Sequence, residues 1–268
     1  MIGVEGGHMI ENNLKNLDSL YKRGVRYMGL TWENSTSWAT SANDESKNQI
    51  PNPNKGLNDF GKQIVRQMNE LGMMVDISHA GEQTFWDVIN TTTKPIIASH
   101  SCVYNLCPHL RNLKDEQIKA IGKNDGIIMV CFYPGFLDST WRKKERAFDK
   151  QHKAEGDSIW KVNPDEDFMD TYLYSKYRKE LEAIDREVPL SLLIDHIDYI
   201  VKMIGVDHVG LGSDFDGMSD PTQGLDGNGV LDFPKITKAL LARGYSQKDV
   251  NKILGENFIR VFKANMQE

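Results

Sequence analysis

Residues 58–79 read NDFGKQIVRQMNELGMMVDISH, and this stretch decides the fold. Phe60, Ile64, Met68 and Leu71 recur at helical spacing between Asn58 and Leu71, and Gly72 stands at the C′ position, where a helix stops. Met73–His79 follows at once, an apolar run too short for a helix that closes on Ser78-His79. Such a run reads as a buried parallel strand. Helix, glycine turn and strand thus form one unit, and a potential metal ligand sits at the strand's end.

The pattern repeats in both directions. Ile2–Glu5, Tyr27–Trp32, Pro95–His100, Gly126–Phe132 and His208–Asp214 are further short apolar runs. Between them the spacing predicts helices over Asn12–Lys22, Glu82–Ile89 and Asp115–Ile121, and later over Leu190–Ile204, Pro234–Arg243 and Gln247–Phe262. Alternating strands and helices specify an α/β protein with a parallel sheet. Two stretches break the rhythm. Trp38–Asn58 is rich in Ser, Asn and Asp with two prolines, a long loop. Asp138–Pro189 is a charged helical insertion, read as a solvated excursion, with a lid over a site as its functional alternative. Residues 1–268 are otherwise read as one domain.

Composition narrows the class. Apolar residues make up 40% and charged residues 26% of the 268, which excludes wholesale disorder. The 38 acidic residues outnumber 32 basic ones, a formal charge of −6 that argues against a dedicated nucleic-acid binder. No run is long and apolar enough for a transmembrane segment. Cys102, Cys107 and Cys131 are too few for a disulfide framework, so a reducing, cytoplasmic setting is expected. The first strand starts at Ile2 without a polar lead-in, which predicts a segment upstream of Met1.

Polar residues fall at the ends of the predicted strands: Glu5 on the first, His79 on the third, His100 on the fourth and Asp214 on the sixth. In a barrel of parallel strands all C-terminal ends open on one face, so these four converge. A single strand-end histidine is ordinarily a hydrogen-bonded structural residue. Two imidazoles and two carboxylates together indicate a metal site, suited to zinc, with manganese, cobalt or iron as alternatives. His8, His109, His152, His196 and His208 are read as structural, and the cysteines as small buried apolar residues.

These motifs resemble the membrane dipeptidase (renal dipeptidase) family, peptidase family M19. The resemblance rests on GVEGGH at Gly3–His8, DISH at Asp76–His79, SHS with a downstream RN within Ser99–Asn112, GSDFDG at Gly212–Gly217 and ENFIRVF at Glu256–Phe262. It implies a (β/α)8 TIM barrel of the metal-dependent hydrolase type holding two zinc ions, and hydrolysis of a dipeptide's amide bond by metal-activated water. By position, Glu5 resembles the carboxylate that bridges the two metals, and His79 and His100 resemble ligands of one metal. Asp214 resembles a ligand of the other metal and the catalytic proton carrier. Arg111 resembles the arginine that holds the substrate's terminal carboxylate.

Two departures from the family pattern shape the expectations. Family members begin with a strand ending in His-x-Asp, which supplies ligands to the metal shared with Asp214. No such pair precedes Glu5, and the only one, His196-Ile197-Asp198, lies in a predicted helix. About six of the eight barrel strands are therefore expected, at most one zinc well retained, and dipeptidase activity impaired. A catalytically silent fragment, or a related reaction on cyclic amides, is the alternative. A second copy or a complementing N-terminal segment is the expected partner besides the dipeptide. The other departure is Trp32, in Leu30-Thr31-Trp32-Glu33-Asn34, aligned with a substrate-binding histidine. Tryptophan donates one hydrogen bond and cannot take a proton.

Overall fold

The computed structural model describes residues 1–48, 55–185, 187–217, 225 and 229–266. The chain runs β1 (Ile2–Val4), α1 (Leu14–Lys22), β2 (Val25–Gly29), α2 (Ala42–Ser46), α3 (Asp59–Leu71), β3 (Met74–Asp76), α4 (Glu82–Thr91) and β4 (Ile97–Ala98). It continues through α5 (Asp115–Lys123), β5 (Ile127–Val130), α6 (Pro134–Leu137), α7 (Trp141–Val162), α8 (Glu166–Asp185), α9 (Leu190–Ile204), β6 (Val209–Leu211), α10 (Phe233–Ala242), α11 (Gln247–Asn251) and α12 (Asn257–Asn265). All six strands pair in parallel, in sequential order β1 to β6. This is the wall of a TIM-barrel-like α/β fold, and among the described residues β1 and β6 are its edges.

Local chemistry explains the elements. Asn58 caps α3 by accepting from the Gly61 amide at 3.0 Å, and Gly72 ends the helix with φ 80°, a conformation that costs glycine little. Each strand is shorter than its apolar run: β3, β4, β5 and β6 lose residues at both ends, and β2 starts at Val25, two residues ahead of the run read from Tyr27. The stretch Gln247–Phe262, expected as one helix, is broken by a π-helical turn over Lys252–Glu256. Two helices, α7 and α8, fill most of 138–189 and pack on each other, with the His152 ring 3.8 Å from that of Tyr177.

Alternation along the strands divides the core. Met28, Val75, Ala98, Ile128 and Val130 join the main core with the helices. Met74, Ile97 and Ile127 face the other way and pack with Val261, alongside Tyr27, Met129, Phe258 and Phe262. Helix α12 therefore lies across the start of the strands. There Arg260 donates to the carbonyls of Asp125 and Asp207 at 2.7 and 2.9 Å, and Asn265 to that of Pro95 at 2.9 Å. The ENFIRVF segment thus packs on this face of the sheet and is tied to the starts of β4, β5 and β6 through α12.

His196, in the helical His-x-Asp pair, is structural. Its Nδ1 accepts from the Val103 amide at 3.0 Å, so its Nε2–H points to the Leu137 carbonyl at 3.2 Å. Asp198 accepts from Arg243 at 2.6 Å and from Tyr245 at 2.7 Å. Burial pushes the His196 imidazole down from 6.5 to about 4. Below pH 6.5 the unfolded chain takes a proton that the folded chain refuses until about pH 4. Stability is therefore lost as pH falls through that window, by at most about 3 kcal/mol from this residue. Partly buried His109, pushed down to about 3 by desolvation and by the charges of Arg142 and Arg111, adds in the same direction. His196→Gln keeps a donor and an acceptor but cannot titrate, so its thermal midpoint should fall less between pH 6.5 and 4. An unchanged pH slope would show that His196 is not held neutral.

Candidate metal centre

Every site residue leaves the sheet at the C-terminal end of a strand. Glu5 follows β1, His79 lies just past β3, His100 just past β4 and Asp214 just past β6. His79 and Asp214 are among the few non-glycine residues in the left-handed region, with φ 67° and 55°. Side chains rarely adopt that conformation, and where they do it clusters at functional sites. The glycines beside Asp214 permit the approach. A methyl group on Gly212 would overlap the Ser99 carbonyl oxygen, and Gly217 lies against the Asp214 carboxylate.

Three of the four expected ligands meet. Glu5, His79 and His100 each place a ligand atom within 4.8 Å of the others, the only such group among the described residues. Glu5 Oε1 is 3.0 Å from His79 Nε2 and 3.3 Å from His100 Nε2, and the two imidazoles stand edge to face, 5.0 Å between centres. Asp214 is outside this triad but lines the same cavity, about 410 Å³, as Glu5 and His100. His79 lines a second cavity, about 360 Å³, together with Arg111 and His109. The Glu5–His79 contact joins the two.

Arg111 is placed by its neighbour. Asn112 is buried; its side chain accepts from the Cys102 amide at 3.1 Å and donates to the Cys107 and Phe136 carbonyls at 2.9 and 2.8 Å. The loop after β4 is thus tied down, and the Arg111 guanidinium lies over the Phe136 ring, 5.4 Å from its centre. Arg111 is only 8% exposed, yet its Nε and Nη2 have no hydrogen-bond partner among the described residues. Its Nη1 is 3.6 Å from Glu33 Oε1.

Glu33 is the residue that sequence reasoning passes over. Its Oε1 also lies 3.0 Å from His79 Nδ1, close in distance although outside hydrogen-bond alignment. The available signal is its place beside Trp32, in the loop after a strand, at the same mouth. Trp32 is half exposed, with its ring 6.5 Å from that of His79.

The electrostatics separate the three carboxylates. His100 and His79 hold the Glu5 carboxyl well below the usual carboxylate range, against the opposing effect of its burial. His79 likewise lowers Glu33. Burial raises Asp214, aided by the charge on Glu5, although His100 and Arg111 pull the other way. One carboxylate is thereby kept ionised between two imidazoles, while its neighbour binds a proton more readily. His100 Nε2, which faces Glu5, is buried without a hydrogen-bond partner among the described residues, as is His79 Nδ1, which faces Glu33 instead. His79 Nε2, His100 Nε2 and Glu5 Oε1 converge, and two imidazole nitrogens with a carboxylate oxygen are a donor set that fits a divalent metal.

The family model described as membrane dipeptidase (peptidase family M19) matches residues 1–268. A Klebsiella pneumoniae protein, described as uncharacterized and encoded in the pqqA 5′ region, is 30% identical over 265 residues, covering 99% of this chain and 81% of that one. Dipeptidase tcpJ of Claviceps purpurea is 32% identical over 263 residues, covering 98% of this chain and 50% of that one. The chain thus spans half the length of that relative. Among solved structures, the probable dipeptidase PvdM of Pseudomonas aeruginosa superposes with a TM-score of 0.74 at 28% identity, covering 97% of this chain and 68% of that one. With a family match from end to end and strand-end ligands converging at the sheet's mouth, this chain belongs to the membrane dipeptidase family, peptidase family M19.

Proposed function

We propose that Glu5, His79 and His100 hold a zinc ion and that the chain serves hydrolysis of the amide bond of dipeptides. The convergence of these three ligand atoms carries the reading. The chemistry zinc supplies in such a donor set is Lewis acidity, which makes water nucleophilic near neutral pH. The chain's own residues do the rest. Asp214, raised by burial and lining the cavity of Glu5 and His100, accepts the proton of the attacking water and returns one to the leaving amine. Arg111, across the Glu5–His79 contact, receives the dipeptide's terminal carboxylate, for which its planar fork is matched. Trp32 covers the substrate with an apolar face and offers one donor.

Elemental analysis tests the metal assignment. With one complete group of three ligands among the described residues, the expected content is about one zinc per chain, not two. Hydrolysis of a dipeptide panel should disappear on chelation and return with zinc. Because no second complete ligand set surrounds Asp214 among the described residues, turnover should fall below the roughly 10 per second typical of enzymes. Zinc near zero in protein purified without chelator and then dialysed against zinc would sink the reading.

A further inference from the structure

Asp76 sits in the apolar run that ends in His79, only 3% exposed. A buried carboxylate is costly unless its oxygens are engaged. Oδ1 accepts from the amides of Ser78 and Ser99, each at 3.0 Å, and Oδ2 accepts from the Ser99 hydroxyl at 2.5 Å. The same hydroxyl oxygen lies 2.7 Å from His100 Nδ1. A hydroxyl has one proton to give. Ser99 gives it to a carboxylate, which as an ion can only accept, so Ser99 must accept from His100. His100 therefore carries its proton on Nδ1. The Ser78 hydroxyl accepts from the His100 amide at 3.0 Å and anchors the backbone of the same residue.

We propose that Asp76 and Ser99 are positioning residues, which through one shared hydroxyl hold His100 as the Nδ1–H tautomer and turn its Nε2 lone pair toward Glu5. His100 Nε2, on the other side of the ring from Ser99, lies 3.3 Å from Glu5 Oε1. The relay thus aims a ring nitrogen at the Glu5 carboxylate. It rests on the metal reading of Glu5, His79 and His100, but makes a separate statement about the ring. Metal-ligating histidines are characteristically oriented through their second nitrogen, and loss of that partner costs roughly 10–100-fold in metal affinity.

The test uses the full 268-residue chain. Nitrogen-15 NMR of the histidine-labelled, metal-free protein, with His100 assigned by its loss in His100→Asn, should show a protonated Nδ1 and a bare Nε2. A proton on Nε2, or one shared evenly between the nitrogens, would overturn the proposal. Zinc affinity is then measured by competition with a chromogenic chelator. Ser99→Ala should bind zinc roughly 10–100-fold more weakly than the parent, whereas Ser99→Thr, which keeps the hydroxyl, should stay near it. A folded Ser99→Ala with the parent's affinity and the parent's tautomer would also overturn the proposal. A parent that binds no zinc removes the metal reading instead, and the tautomer alone then decides whether the relay exists.

Discussion

A Glu5→Gln chain is expected to bind zinc about 100-fold more weakly than the parent, with its fold unchanged. Glu5 is the one anionic donor among the three ligand atoms, and both histidines contact its Oε1. Loss of a group that merely supports a metal-binding histidine costs roughly 10–100-fold in metal affinity, and loss of the anionic ligand itself should reach the upper end of that range. Two powers of ten correspond to about 3 kcal/mol in a binding constant. Glutamine keeps the shape and one carbonyl oxygen, which isolates the effect of charge. The residue lies past the end of β1, outside the apolar core, so thermal stability without metal should barely change. Chelator competition measures the affinity and calorimetry the stability. Equal zinc affinity in the two chains would show that the ion sits elsewhere.

The fold was legible because its determinants are local and periodic. The helix Asn58–Leu71 could be read from four apolar positions and a glycine, and the structure has it from Asp59 to Leu71 with Asn58 as its cap. Strand ends were less legible. Where a parallel strand leaves the sheet depends on neighbours in space, so the run Met73–His79 yields only Met74–Asp76 as paired strand. The positive φ of His79 and Asp214 arises in those turns, and nothing in local propensity marks it. The helix read over Gln247–Phe262 ran straight through Gly255, where the structure has a π-helical turn. Within the candidate site, residue type and position at a strand end singled out Glu5, His79 and His100, whose ligand atoms the structure brings together. Glu33 lies against His79, and Asp76 reaches His100 through Ser99, both from neighbouring loops or strands. An aspartate within an apolar strand was still a usable clue, since a buried carboxylate needs partners. Which partners it has, the amides and hydroxyl around Ser99, is a property of the β3–β4 pairing.

Replacing Arg111 by methionine should separate stability from binding more sharply than any other change. The guanidinium is buried, and burial makes its protonated form less favourable. Two of its nitrogens lack partners among the described residues. Each buried donor left unsatisfied costs about 1–3 kcal/mol, a burden that an apolar side chain of similar length removes. Methionine gives up in exchange the 3.6 Å approach to Glu33, a half-exposed carboxylate, and pairs of that kind contribute little. Arg111→Met should therefore be as stable as the parent or more so. Its affinity for a free dipeptide, read by calorimetry in the presence of zinc, should fall by about 2–5 kcal/mol, because the ligand carboxylate then enters the cavity without its cation. A dipeptide amidated at its C-terminus has no such carboxylate, so the two proteins should bind it alike. A residue that costs the fold energy and returns it only to a ligand is the pattern expected of a binding group. If Arg111→Met unfolds while the few remaining native molecules bind dipeptide normally, the guanidinium serves the loop and not the substrate.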